Sequence, residues 1–140
     1  MKTVFVLGVF IINLIFFLVA LKRCRQGQFM GDTFGGLPLG IFVWGDALVL
    51  APFWMLSGIV FLWLSWMSII RWWLLFFLVR ETFEVIYWLN HQATKSEYRP
   101  PFLRHTKWLN SEQVAIIYQL LAMCQIIAAI VGLLFTYHLL

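Results

Sequence analysis

The sequence predicts an all-α integral membrane protein: four transmembrane helices in one small bundle, a single transmembrane domain over residues 1–140, with both termini on the non-cytoplasmic side. Three observations carry this reading. Of 140 residues, 63% are hydrophobic and 11% charged, with a mean hydropathy of +0.89, whereas soluble domains carry about 25% charged residues. The apolar residues fall in continuous runs, unlike the alternating segments of about ten residues that build an outer-membrane barrel. Seven of the ten basic residues fall in two connections that the threading places on one side. So few charges cannot cover so much apolar surface in water, and the solvent is therefore lipid.

The first span is read as residues 3–21, "TVFVLGVFIINLIFFLVAL", an uncharged run of nineteen that is long enough for a hydrocarbon core of about 30 Å. A single lysine precedes it, "KRCR" follows it, and there is no Ala-x-Ala pattern, so it reads as a retained anchor and not a cleaved signal peptide. Asn13 lies inside this span and is expected to hydrogen-bond across to a neighbouring helix.

Residues 26–45, "QGQFMGDTFGGLPLGIFVWG", hold six of the nine glycines and Pro38. Backbone entropy disfavours a plain helix there. The four-residue spacings Gly27–Gly31–Gly35 and Gly36–Gly40 would mark close helix packing inside a membrane. Here Gln28, Asp32 and Thr33 interrupt them, so a flexible interfacial loop is expected. The segment lacks the Gly-Lys-Ser/Thr ending of a phosphate loop.

From Asp46 to Asn90 the chain is mostly apolar, which predicts a hairpin of two spans, 46–65 and 69–89, turning near 65–68. Pro52 falls one turn inside the earlier of them and is tolerated if neighbours satisfy the freed carbonyl. Residues 91–112 form a basic polar loop in which Pro100-Pro101 stops any helix. Asn110 with Gln113 then has the spacing of a reciprocal helix cap, and the last span runs over 113–137.

Orientation follows from the cations. Lys22, Arg23, Arg25, Lys95, Arg99, Arg104 and Lys107 share one side, against Lys2 and Arg71 on the other. The positive-inside rule places the seven in the cytoplasm of a cytoplasmic-type membrane, inner or plasma. Trp63, Trp66, Trp72 and Trp73 then form an outer aromatic belt, with Trp44, Trp88 and Trp108 an inner one. The net charge of +4 becomes an inner-surface charge, and anionic lipid headgroups are the partner expected at that face. Basic residues that flank spans without forming a patch argue against nucleic acid.

The charges inside the third span are the functional question. Arg80 is nine residues past Arg71, roughly 13 Å along a helix, near mid-bilayer. A charge there costs about 2.5–3.5 kcal/mol on insertion scales and must be paired. Arg80 and Glu84 are four residues apart and share a face, which Tyr87 and His91 extend, while Glu81 lies on the neighbouring flank. Asp46 enters at a similar depth. Asp46, Arg80, Glu84, Tyr87 and His91 are therefore the candidate polar cleft. The competing expectation ends the span near Arg80 and lays 81–92 along the interface, with Arg80 snorkelling and the acids in water.

In the fourth span, Cys124, Ala128 and Gly132 step by four, with Gln125 alongside, and form the candidate helix-packing face, within the bundle or as a homo-oligomer seam. Cys24 and Cys124 fall at different depths, so no disulfide is expected between them. Cys24, beside a membrane helix, has the setting of a palmitoyl acceptor, but an inert thiol is the better reading of so small a motif. No Glu-x-x-His or His-x3-His spacing is present, no cofactor is implied, and Ser57, Ser65 and Ser68 have no adjacent acid–base partner. In size and span number the chain is similar to the small multidrug transporters. Those proteins carry a glutamate in the first span, where this chain has only Asn13, so the likeness is one of size.

Three functions remain. The leading one is a non-enzymatic accessory or interaction subunit, whose spans meet a protein partner or further copies of the chain. The alternative is a small oligomeric transporter or channel subunit with Glu84 or Asp46 binding a proton or cation. The third is a lipid-directed enzyme with His91 as base beside Glu84, and Arg80 or Lys95 gripping a headgroup phosphate.

Overall fold

A computed structural model describes residues 1–31, 33, 36–94 and 108–138. Among these the regular structure is entirely helical: α1 (Lys2–Arg25), a single 3-10 turn (Leu37–Leu39), α2 (Trp44–Phe61), α3 (Trp66–Ala93) and α4 (Ser111–His138). Helices α1, α2 and α4 are long and apolar enough to cross a membrane. Helix α3 has 28 residues, about 42 Å of length, but it carries Arg71, Arg80, Glu81 and Glu84. The chain divides into two compact units, residues 1–65 and 66–140. Packing within them is α1 on α2 and α3 on α4.

The helix ends follow local chemistry. α1 runs four residues beyond the apolar run, because Lys22, Arg23 and Arg25 complement the negative end of the helix dipole. It stops in a Schellman closure: Gly27 N–H donates to the Cys24 carbonyl at 3.0 Å and Gln28 N–H to that of Arg23 at 3.0 Å. Gly27 has φ +77°, a conformation that glycine adopts without a Cβ clash. α2 starts two residues early because the Asp46 carboxylate accepts from the N–H groups of Phe42 (3.0 Å) and Val43 (3.2 Å), satisfying donors at the helix start. It ends at Phe61, so the connection occupies 62–65 and lies slightly earlier than the hydropathy pattern implies. α4 opens as expected: Gln113 N–H donates to Asn110 Oδ1 at 2.8 Å, and Asn110 N–H to Gln113 Oε1 at 2.9 Å.

In the first unit, α1 and α2 run antiparallel along a seam that advances in sevens. Val6, Asn13 and Ala20 are the buried residues of α1, and α2 answers with Ala47, Trp54 and Phe61, and with Ala51 and Gly58. Small residues at these positions let the helices approach closely. Gly58 lies against Val6 and Val9. At the open end, the Lys2 ammonium donates to the Leu64 carbonyl. Asn13 departs from expectation: its amide nitrogen bonds the Val9 carbonyl of its own helix at 2.8 Å and makes no bond across the seam.

The glycine-rich segment is a loop with one 3-10 turn; its described residues 26–30 are exposed, while Thr33, Gly36, Gly40, Ile41 and Gly45 are buried. Ile41 is fully buried in one cluster with Ala20, Ala47 and Ala51. Thr33 bonds both sides of the turn, its N–H to the Phe42 carbonyl (3.0 Å) and its hydroxyl to that of Ile41 (2.7 Å). Trp54 Nε1 donates to the Leu39 carbonyl at 2.8 Å. The glycines serve close contact: a Cβ on Gly36 would lie 2.5 Å from the Ile41 carbonyl oxygen, and one on Gly45 would enter the Phe29 ring. Asp32 and Gly35 of the glycine pattern lie outside the described residues.

In the second unit, α3 and α4 form another antiparallel pair in fixed register. Leu74 lies against Gly132, Glu81 against Gln125 and Trp88 against Tyr118, so seven residues forward on α3 correspond to seven back on α4. Ala115, Ala122, Ala129 and Thr136, again stepping by seven, are buried. This is the heptad logic of two helices in continuous side-by-side contact. The ends are tied by Arg71, whose Nη2 donates to the Thr136 carbonyl at 2.6 Å and whose guanidinium lies 4.3 Å from the Tyr137 ring centroid. At the other end Gln119 Nε2 donates to Gln92 Oε1 at 2.9 Å. Helix α3 is unbroken from Trp66 to Ala93, so residues 81–92 continue the same helix against α4.

Candidate functional site

The polar centre of the α3–α4 pair is built from consecutive turns of one helix. Arg80 sits between two carboxylates, with Nη1 donating to Glu81 Oε1 at 2.8 Å and Nη2 to Glu84 Oε1 at 2.9 Å. The i,i+4 spacing produces the second contact. The first arises because the arginine stem reaches sideways to the adjacent residue. Arg80 and Glu81 have side chains only 10% and 3% exposed, and Glu84 29%, so the first two are buried and Glu84 reaches the surface of the pair. Helix α4 contributes Gln125. Oriented so that its nitrogen faces α3, the amide donates to Glu81 Oε1 at 2.9 Å and Oε2 at 3.3 Å. Glu84 also accepts from Trp88 Nε1, through Oε2 at 3.1 Å.

An aromatic group continues from this network toward the C-terminal end of α3. The Trp88 indole stacks on Tyr118 with centroids 5.0 Å apart and meets the His91 ring edge-on at 5.1 Å. His91 also stacks on Tyr87 at 6.0 Å. Trp88 and His91 are buried in the seam while Tyr87 is exposed. Trp88 is thus a seam residue bonded to Glu84, not an outward-facing member of an interfacial belt; Trp63, Trp66, Trp72, Trp73 and Trp108 are exposed.

The structure therefore brings Arg80 and Glu84 into direct contact and Tyr87 and His91 into a stack on the same helix. Asp46 belongs to the first unit, where its carboxylate caps α2. On α4, Gly132 meets Leu74 and Gln125 meets Glu81, while Cys124 and Ala128 are exposed. Cys24 and Cys124 are both free thiols. Lys95, Arg99, Arg104, His105 and Lys107 lie outside the described residues, as does the side chain of His138.

The helical spacing puts Glu81 on a flank outside the candidate cleft, yet it is the most buried acid of the cluster, and Trp88 has a seam role that the belt reading does not contain. The usable signal was the seven-residue step Leu74–Glu81–Trp88. It places Glu81 on the packing stripe, whereas a search by i,i+4 from Arg80 leads to Glu84.

Chemically, the arrangement pairs two carboxylates with one guanidinium and closes the remaining acceptor sites with an amide and an indole donor. Such charge-assisted bonds are shorter and stronger than neutral ones. Among the described residues no group of three His, Cys, Asp or Glu is placed to hold a metal ion. Comparison with protein-family models, with curated proteins and with solved structures found no match for this chain.

Proposed function

We propose that the chain crosses a cytoplasmic-type membrane four times with both ends outside, and acts as a non-enzymatic accessory or interaction subunit. The observation that supports this reading is the closure of the Arg80–Glu81–Glu84 cluster by its own hairpin. Within α3 a guanidinium and an indole occupy the carboxylates, and the Gln125 amide joins Glu81 to α4, so the cluster is satisfied inside the pair and leaves the outward faces to lipid or partner. Buried polar groups of this kind specify register at some cost in stability. The full register of α3 along α4 supports the fourth crossing, since an apolar α4 spanning the bilayer carries α3 with it. Purification from native membranes in mild detergent is expected to bring down a larger protein in fixed stoichiometry. Recovery as a clean monomer, with no partner and no self-association, overturns the reading.

A second reading rests on the count of charges. Two carboxylates face one guanidinium, and a proton or cation would balance the remaining charge in a low-dielectric setting. In a small oligomeric transporter or channel, Glu84 is the exposed member that would bind it, with Asp46 a further acid. Under this reading Glu84→Gln abolishes a pH-dependent flux in liposomes, and an absence of flux in the unaltered protein at every pH removes it.

A further inference from the structure

The last two turns of α1 carry a feature that neither hairpin seam uses. Leu18, Leu21, Lys22 and Arg25 lie at helical spacing on one stripe, roughly opposite Ala20 and therefore away from α2. With Gln26 they line an open groove of 380 Å³, within the range of small-ligand sites. One end of the groove is apolar and belongs to a helix long and apolar enough to cross a membrane. The other end is cationic.

Among the described residues Lys22 and Arg25 have no ion-pair or hydrogen-bond partner, and their complement to the end of the α1 dipole leaves their donors facing outward. Residues 1–31 contain no Asp or Glu, and among the described residues no carboxylate pairs with Lys22 or Arg25. The carbonyls of Arg23 and Cys24 are taken by the backbone N–H groups of Gln26, Gly27 and Gln28, so the helix end is closed by backbone and not by the Lys22 or Arg25 side chain. Arg23, the third cation, is held on Gln28 Oε1 at 3.0 Å. Lys22 and Arg25, one turn apart, are left side by side above two leucines.

We propose that this groove binds an anionic phospholipid, with the headgroup phosphate between Lys22 Nζ and the Arg25 guanidinium and the start of an acyl chain along Leu18 and Leu21. Charge complementarity selects an anion, since Arg and Lys donate to phosphate oxygens by charge-assisted bonds. The apolar half of the groove selects a lipid over a free anion. The inference rests on the membrane-spanning reading of α1 and adds to it a defined site on the basic face.

The test uses the full chain in an uncharged detergent, with dioleoyl phosphatidylglycerol or dioleoyl phosphatidylcholine added and bound lipid counted by native mass spectrometry. Phosphatidylglycerol is expected to bind in preference, and the doubly changed Lys22→Gln/Arg25→Gln protein to lose about 25-fold in its affinity, roughly fivefold for each cation. Arg23→Gln is expected to retain most of it. Equal binding of the two lipids, an undiminished double variant, or full displacement by inorganic phosphate at equal concentration each overturns the proposal. Should the double variant fail to express, a salt titration of the unaltered protein serves instead. The preference must fall as ionic strength rises, and a salt-independent preference overturns the site. Alkaline extraction of membranes separates the two levels: release of the protein refutes the membrane reading itself, whereas retention without lipid preference refutes only the groove.

Discussion

Asn13 is a fully buried amide whose nitrogen is bonded to Val9 and whose Oδ1 has no hydrogen-bond partner. An unsatisfied buried acceptor costs about 1–3 kcal/mol, so Asn13→Val, nearer to asparagine in size than leucine is and free of the orphan oxygen, is expected to leave the α1–α2 unit as stable or to stabilise it by up to about 2 kcal/mol. Denaturant unfolding followed by circular dichroism reads this directly, and a clear loss of stability would mean that the amide has a partner in the folded protein. Glycines give a sharper contrast. Gly36→Ala drives a methyl into the Ile41 backbone, which cannot yield as a flexible side chain would, and is expected to cost about 1–3 kcal/mol. Gly8, with nothing within 4 Å of an added Cβ, is a mid-helix glycine, and Gly8→Ala is expected to stabilise by roughly 0.5–1 kcal/mol. The same assay orders the two variants, and equal effects refute the packing described for the loop. None of this was legible from the glycine pattern alone, because composition marks where a helix is costly without showing which glycine faces a backbone.

At the scale of the element, the apolar runs located every helix, and the basic residues and caps decided where each one ends. The Asn110–Gln113 pair could be read from sequence because both halves of that cap are local. The early start of α2 could have been read the same way, since an acid three residues into a helix is a cap acceptor. Reading Asp46 as a charge at depth beside Arg80 overlooks this local role. Its capping role predicts that Asp46→Ala frays the first turn of α2 at a cost of about 1 kcal/mol, visible as faster amide exchange at residues 42–46 with the rest of α2 unchanged. Packing stripes were harder to read. Both seams advance by seven, and within a nearly all-apolar helix no polar contrast distinguishes that stripe from the i,i+4 row of Cys124, Ala128 and Gly132. The polar exceptions could have served as markers: Asn13, Glu81 and Gln125 all lie on seams. Removing the cross-seam donor by Gln125→Leu is expected to cost about 0.6 kcal/mol and at most about 1.7, the span measured for polar contacts between membrane helices, in steric-trap or detergent unfolding. A far larger loss would show that Gln125 holds the charged cluster together and does more than set register.

For the molecule as a whole, the decisive question is whether α3 crosses the bilayer, and parity turns it into a simple measurement. Helices α1, α2 and α4 are each long and apolar enough to cross. Three crossings would put the chain ends on opposite sides of the membrane, and four put them on the same side. The four charges of α3 weigh toward three. Packing favours four. Leu74, Glu81 and Trp88 meet Gly132, Gln125 and Tyr118 in constant register, so a crossing by α4 would carry α3 with it, and the charges of α3 are hydrogen-bonded within the pair. The distribution of cations agrees, since only an even number of crossings collects Lys22, Arg23 and Arg25 with Lys95, Arg99, Arg104 and Lys107 on one face. Single cysteines placed at residues 3 and 138 in a chain lacking Cys24 and Cys124 are therefore expected to react alike with a membrane-impermeant maleimide added from outside. A third placed at residue 106 should react only after permeabilisation. Labelling of one end alone would mean three crossings and would return Arg80, Glu81 and Glu84 to the membrane surface. The charged cluster would then need no neutralisation by its own hairpin, and its hydrogen bonds would have to be explained by a different role.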